Sequence, residues 1–153
     1  FVAQELPDST VNLSAIQNLH SQLRARDLLE MRLIFEPATV ALACERASDE
    51  ELEQIRRKAQ RVIEVAQQGG DWSAADQEFH LAISRASHNE YMRRLYNAVA
   101  EFMLLTAQNL EYIQHMAISD NESILEFLLR RDAPGAREAM GIHMRHMLHA
   151  LSD

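Results

Sequence analysis

Helix-breaking residues are scarce in this sequence, which has four glycines and three prolines among its 153 residues. Residues with high helix propensity, such as alanine, leucine, glutamate and arginine, are abundant instead. Apolar residues do not form the run of about 18 that a membrane-spanning helix needs. The sequence therefore predicts an all-α protein, a bundle of six or seven helices with no membrane segment.

Helix positions follow from apolar residues at helical spacing and from capping signals. Ser48 with Glu51, and Ser119 with Glu122, have the spacing of a capping box. Pro37 lies inside the first long segment and is expected to kink or split that helix. The predicted helices cover about 13–23, 25–46, 48–68, 72–87, 89–116, 119–129 and 132–151.

The net charge of −8 argues against nucleic-acid binding by this part of the protein, because an acidic surface repels phosphate. Four basic residues between positions 56 and 61 share a predicted helix with glutamates, so they indicate a solvated face. The single cysteine, Cys44, excludes an internal disulfide and fits a reducing compartment. We therefore expect a cytoplasmic protein.

Asp76 and His80 lie four residues apart, one turn of helix, within a segment that otherwise looks like core. A carboxylate oxygen and an imidazole nitrogen suit Zn²⁺, Ni²⁺, Mn²⁺ or Fe²⁺. Asn121 and His143 offer two further donors on later helices. If the four converge, they would hold a divalent metal inside the bundle. The alternative is an exposed acid beside a histidine that only packs.

Arg32 lies in the strongly apolar segment 28–34, where a buried guanidinium needs an anionic partner. Its planar fork matches a carboxylate, so it is a candidate ligand-binding residue. The alternative is a salt bridge to a local acid such as Glu36. Thr106 and Asn109 are polar positions within an apolar helix and are candidate pocket residues. His146 and His149 are expected at the surface, because histidines three apart cannot all face one point.

Taken in order, several segments resemble the effector-binding (FCD) domain of GntR-type bacterial transcription regulators, in the FadR-like subgroup. The resemblance covers about residues 25–150. It is carried by residues 28–32 with Glu36, Asp76-x-x-Phe79-His80, Ala86-Ser87-x-Asn89, Ile124-Leu125, Asp132, Ala136, Met140 and His143.

The resemblance implies an antiparallel helical bundle that forms a homodimer. It also implies a divalent metal held by one aspartate and three histidines, with an arginine that binds an organic acid. These roles fall on Asp76, His80, His143 and Arg32, while Asn121 stands where the family has its remaining histidine. A neutral amide oxygen is a poorer donor to zinc than imidazole. Zinc is the first expectation, with nickel, manganese or iron as alternatives.

Residues 1–3 resemble the last strand of a winged-helix DNA-binding domain, and residues 7–10 have the composition of a turn or linker. We therefore expect residues 1–24 to be a linker with a remnant of an upstream domain, and residues 25–153 to be the effector-binding and dimerisation domain. DNA would be bound only through the missing N-terminal domain.

The sequence thus predicts the sensor of a transcription regulator, not an enzyme, with a small carboxylate as its effector. A metal-dependent hydrolase is one alternative, although no general base paired with a nucleophile is evident. The Glu-x-x-His repeats of a di-iron bundle are also missing. A plain dimerisation module with an incidental metal site is the other alternative.

Overall fold

The computed structural model describes residues 25–106 and 111–151, with side chains described for residues 25–100 and 113–151. These residues form six helices and no strand, which confirms the predicted all-α bundle. The helices are α1 (Ala25–Arg46), α2 (Asp49–Gln67), α3 (Trp72–Ala86), α4 (Glu90–Thr106), α5 (Glu111–Leu129) and α6 (Ala133–Leu151). None of these helices is long and apolar enough to cross a membrane.

Side-chain caps explain where most of these helices begin. Ser48 and Glu51 form the predicted capping box at the start of α2. Asn89 accepts a hydrogen bond from the backbone N–H of Met92, and Asp132 accepts one from Gly135, at the starts of α4 and α6. Each cap satisfies a backbone donor that the first helical turn leaves free. The connections between α1 and α2, α2 and α3, α3 and α4, and α5 and α6 are short, so neighbouring helices pack against one another.

The course of the chain around residues 116–122 differs from the prediction. The predicted helix over 89–116 includes residues 107–110, which lie outside the described residues. The predicted helix end near 116 and the predicted helix start at 119–122 are wrong, since both lie within α5, which is continuous over Glu111–Leu129. The buried residues Ile113, Ala117, Asn121, Ile124 and Leu128 continue at helical spacing through this segment. Burial of that stripe therefore outweighs the local capping pattern.

Pro37 does not split the first helix, because α1 is continuous from Ala25 to Arg46. The proline side chain is buried, as are Phe35 and Thr39 on either side of it. The Thr39 hydroxyl donates to the Phe35 carbonyl oxygen at 2.8 Å and so adds a polar contact beside the proline. Packing of the buried side chains on both sides of Pro37 keeps the helix continuous although the proline removes one backbone hydrogen bond.

The main core lies between α1, α2, α3, α5 and α6, and α1 packs chiefly against α6. A smaller cluster of Leu28, Phe35 and Tyr96 joins α1 to α4. Donor side chains for the site come from α3, α5 and α6, which all face the main core. The bundle therefore brings together polar groups that are far apart in the sequence.

A close approach between α5 and α6 predicts an effect on stability. A Cβ atom at Gly135 would overlap a ring carbon of Phe127, so we expect Gly135→Ala to force repacking and destabilise the fold by about 1–3 kcal/mol. Gly141→Ala is the matched control in the same helix, because its Cβ would lie 3.5 Å from the nearest Arg145 atom. Urea unfolding of both variants measures the difference, and equal stability would contradict this interpretation.

Candidate metal centre

Helix α3 turns Asp76 and His80 toward the core. The buried residues Trp72, Asp76, Phe79, Ile83 and Ala86 follow the four–three spacing of one helical face. His80 follows Phe79 on the edge of this face and is also buried. Asp76 Oδ2 and His80 Nε2 are 3.6 Å apart. The alternative of an exposed acid beside a packing histidine is therefore wrong for this pair.

Helix α6 brings His143 to the same place. His143 is fully buried among Ala136, Ala139, Met140 and Met144, the apolar stripe of α6. Its ring stacks on that of His80, with a centroid distance of 5.2 Å and an interplanar angle of 24°. The two imidazoles, one from α3 and one from α6, therefore meet in the core of the bundle.

Asn121 reaches the site from α5, where it occupies a position in the buried stripe of that helix. Its Nδ2 donates to Asp76 Oδ1 at 2.5 Å. This contact leaves Asp76 Oδ2 facing His80 and orients the amide so that its oxygen remains available. The structure thus brings together all four residues that the sequence predicts as metal ligands.

The spacing of the donor atoms suits a single ion. Asp76, His80 and His143 each offer one ligand atom, and these atoms lie within 4.8 Å of one another. Two donors bound to one zinc ion at about 2.1 Å lie roughly 3.0–3.4 Å apart. The 3.6 Å between Asp76 and His80 is close to this range. Small side-chain movements would bring the three ligand atoms to coordination distance from one cation.

Unpartnered atoms give a more direct indication of what the site holds. Among the residues that the structure describes, His80 Nε2, His143 Nε2 and Asn121 Oδ1 are buried side-chain atoms without a hydrogen-bond partner. Leaving a buried polar group unpaired costs about 1–3 kcal/mol. All three belong to the residues gathered around Asp76, and all can donate a lone pair. This donor set fits a divalent cation.

A carboxylate lies behind each imidazole. Glu36 Oε2 is 2.7 Å from His80 Nδ1, and Asp120 Oδ2 is 3.2 Å from His143 Nδ1. A carboxylate that accepts from Nδ1–H leaves the Nε2 lone pair free, which is the tautomer that a metal ligand needs. Both histidines are therefore oriented for coordination through Nε2.

Both carboxylates are held ionised against the effect of burial. Burial raises the pKa of Glu36, but the adjacent Arg32 guanidinium and His80 outweigh this and hold the pKa at about 2. Burial likewise raises the pKa of Asp120, while hydrogen bonds with His143 and His146 bring it below its ordinary value. An ionised carboxylate is the stronger acceptor for an imidazole N–H.

Arg32 is buried in α1, and its Nε donates to Glu36 Oε1. The structure therefore contains the salt bridge to Glu36 that the sequence raised as the alternative for Arg32. Because Glu36 also contacts His80, the arginine is one residue removed from the candidate metal ligands. Thr106 and Asn109, the other two predicted ligand-binding residues, lie outside the residues whose side chains are described.

A small cavity adjoins the site. It has a volume of about 10 Å³ and is lined by Glu36, Thr39, His80, Ile83, Tyr96 and Met140. That volume corresponds to roughly one water molecule. The Tyr96 ring lies nearly parallel to His80 at a centroid distance of 6.4 Å, and burial raises the pKa of its hydroxyl. Among the described residues, this cavity is too small to hold an organic acid.

Two residues around the site were missed by the sequence. Tyr96 is 1% exposed and lies beside His80. Asp120 was regarded only as part of a helix start. His146, whose side chain is 39% exposed in keeping with the expected surface position, contacts Asp120 at 2.8 Å. The helical spacing of Ala117, Asn121 and Ile124 could have predicted the position of Asp120, because a helix with these residues inward places residue 120 at the edge of its inward face.

Comparisons with known proteins agree with this architecture. The family model of the FCD domain matches residues 27–146. The chain is 26% identical over 140 residues to the Uxu operon regulator of Haemophilus influenzae, covering 83% of this chain and 52% of that protein. It is 27% identical over 135 residues to the HTH-type transcriptional regulator LutR of Bacillus subtilis, covering 83% and 62%. The chain thus spans about half to three fifths of these relatives.

Solved structures show the same fold. Streptococcus agalactiae GntR superimposes with a TM-score of 0.75 at 18% identity, over 92% of this chain and 61% of that one. E. coli McbR/YncC superimposes with a TM-score of 0.65 at 22% identity, over 82% and 67%. At these identities the structural likeness establishes the helical architecture alone.

Proposed function

This chain belongs to the FCD domain family, and on that premise we propose that it is the ligand-sensing part of a transcription regulator. It would bind a small organic acid at a divalent metal in the core of the bundle. The acid would control DNA binding by an N-terminal domain that precedes this segment. The relatives support a regulatory role, since they are named as transcription regulators.

The observation that carries this proposal is the set of buried lone pairs at the centre of the bundle. His80 Nε2, His143 Nε2 and Asn121 Oδ1 lack partners among the described residues and surround the Asp76 carboxylate. These four residues would hold the ion, most simply zinc, with nickel, manganese or iron as alternatives. When bound, the ion supplies positive charge and open positions for a carboxylate oxygen.

Charge supports an anionic effector. Asp76 is the single charged donor in the set, so a divalent cation would leave one net positive charge among the four residues. A monocarboxylate on the ion would balance the charge of these four donors. Arg32, which is paired with Glu36 in the structure, has a fork that matches a carboxylate and would provide a second point of attachment on turning from Glu36 to the acid.

The small cavity suggests how binding would be transmitted. Because the cavity that the described residues form beside His80 has a volume of about 10 Å³, an acid that occupied it would displace the side chains that line it. A ligand shifts a conformational equilibrium by its differential affinity for two arrangements. Opening the bundle on binding would supply that difference, with Thr106 and Asn109 as further candidate contacts from α4 and the segment after it.

The proposal includes a homodimer. Helices α1 and α4 expose large apolar side chains, with Ile34 at 79% and Tyr91 at 89% exposure. The dimer is expected from the family resemblance, and these side chains are candidates for its interface. We place residues 1–24 as the linker to the DNA-binding domain and residues 25–153 as the sensing and dimerisation domain, in a cytoplasmic protein.

The sensing function is tested by thermal denaturation of the zinc-loaded protein with a panel of sugar acids and dicarboxylates. A ligand at a hundred times its Kd stabilises by about 2.7 kcal/mol, so an effector should raise Tm by several degrees. We expect at least one acid to do so in the wild type and in Arg26→Met, a control at an exposed position of α1, but not in Arg32→Met. If no acid stabilises the wild type, the sensing function is wrong.

The same samples distinguish the alternatives. Hydrolytic turnover by the zinc-loaded protein would favour a metalloenzyme. Stability and acid binding that do not respond to a chelator would favour a plain dimerisation module.

The amide at position 121 predicts a gain in metal affinity. We expect Asn121→His to tighten zinc binding by about tenfold or more, because imidazole is a better zinc donor than a neutral amide oxygen. Asn121→Ala, which removes the donor, should weaken binding. Competition titrations with a zinc indicator measure both. A histidine variant that binds no more tightly than the alanine variant would show that position 121 does not face the ion.

A further inference from the structure

One buried carboxylate stands between the candidate effector-binding arginine and a candidate metal ligand. Glu36 Oε1 accepts from Arg32 Nε, and Glu36 Oε2 contacts His80 Nδ1 at 2.7 Å. Arg32, Glu36 and His80 are 6%, 3% and 2% exposed, so bulk water does not screen the contacts between them. The two partners therefore share the charge of a single carboxylate.

The pairing of Glu36 with Arg32 affects how strongly Glu36 accepts a hydrogen bond from His80. A guanidinium on one oxygen withdraws negative charge from the carboxylate and makes it a weaker acceptor for the imidazole N–H on the other. A weaker acceptor makes His80 Nε2 a less basic donor, because the carboxylate behind a ligating histidine raises the basicity of that ligand. Arg32 should therefore lower the metal affinity of His80 while it is paired with Glu36, although it touches no metal ligand directly.

We propose that Glu36 is a positioning residue that couples Arg32 to the metal site, so that an acid which takes Arg32 away from Glu36 tightens metal binding. This inference rests on the proposed function. An acid carboxylate paired with Arg32 leaves more of the Glu36 charge on His80, as removal of the guanidinium would. Coupling between two ligands is reciprocal, so bound metal would favour acid binding to the same degree.

A double-mutant cycle tests the coupling with zinc alone. We expect Arg32→Met to tighten zinc binding at least about threefold, in line with coupling between residues of one polar network. We expect Glu36→Gln to weaken it about 10- to 100-fold, the usual effect of losing the group behind a ligating histidine. In the double variant, Arg32→Met should have no effect beyond that of Glu36→Gln, because the connecting carboxylate is gone.

The chain offers a matched control for the cycle. Arg26 and Glu30 form the same Arg–Glu pair four residues apart in α1, with Nε to Oε1 at 2.9 Å, but both are exposed. Arg26→Met and Glu30→Gln should leave the zinc Kd unchanged. Because Arg32→Met removes a buried charge, circular dichroism must first confirm that it is folded. Arg32→Lys keeps the charge without the fork and should give a smaller shift of the same sign.

A spectroscopic measurement checks the route through His80. In nitrogen-detected NMR of the metal-free protein, the wild-type ring should carry its proton on Nδ1. In Glu36→Gln, the amide can instead donate to Nδ1, so the Nε2–H tautomer should grow.

The outcomes distinguish failure of the proposed coupling from failure of the proposed metal site. If wild-type protein binds no zinc, the proposed metal site fails. If the wild type binds zinc but neither Arg32→Met nor Arg32→Lys tightens zinc binding, the coupling is wrong while the metal site stands. The same conclusion follows if Arg32→Met changes the zinc Kd by the same factor with and without Glu36. An unchanged tautomer in Glu36→Gln would also overturn it.

Discussion

Replacing His143 with alanine is expected to weaken zinc binding by roughly a hundredfold or more. Structural zinc sites with four ligands contribute roughly 10–16 kcal/mol, so one ligand corresponds to about 2.5–4 kcal/mol. His143 is fully buried, and its Nε2 lacks a partner among the described residues. His149→Ala is the matched control, since His149 lies on the same helix but is exposed.

Isothermal titration of tag-free protein with zinc measures this difference. The metal-free His143→Ala protein must retain its helical circular dichroism, so that loss of binding is separated from loss of fold. Equal zinc affinity in the two alanine variants would remove His143 from the site.

The second large effect concerns stability. We expect Arg32→Met to destabilise the metal-free protein by about 3–5 kcal/mol, because removing one partner of a buried ion pair leaves the other charge uncompensated. Methionine preserves much of the side-chain volume, so the loss reports mainly on the unpaired Glu36. His80 still contacts Glu36 in the variant, which favours the lower end of the range.

Denaturant unfolding of Arg32→Met beside Arg26→Met provides the comparison. The Arg26–Glu30 pair has the same sequence spacing but lies at the surface. Exposed pairs contribute about 0–1 kcal/mol, so Arg26→Met should be nearly neutral. Similar losses in the two variants would contradict the assignment of Arg32 as a desolvated charge that depends on Glu36.

The sequence was sufficient for most of the helices, and particular residues explain why. Ser48, Asn89 and Asp132 cap their helices through local hydrogen bonds that depend on neighbouring residues alone. The continuity of α5 through residues 116–122 was not predictable in this way. Ser119 and Glu122 have the local pattern of a cap, but Asn121 and Ile124 are buried against other helices, and that burial is a property of the whole bundle.

The site was predictable to a similar extent. The spacing of Asp76 and His80 and the resemblance to a family pointed to the four donors, which the structure brings together. The carboxylates that accept from the Nδ1–H of the two histidines were not predicted to do so. Asp120 lies 23 residues from His143 and Glu36 lies 44 residues from His80 along the chain. Contacts of this kind depend on how α1 packs against α3 and how α5 packs against α6, and no local pattern specifies them.

X-ray absorption spectroscopy of tag-free protein after zinc loading tests the central claim most directly. We predict one zinc ion per chain with nitrogen and oxygen neighbours at about 2.0–2.2 Å and no sulfur, and with the outer-shell scattering of two imidazoles. The Asp76→Ala protein should lose the ion. A protein that retains no stoichiometric zinc, or whose zinc has a sulfur neighbour or fewer than two imidazoles, would contradict the proposed centre.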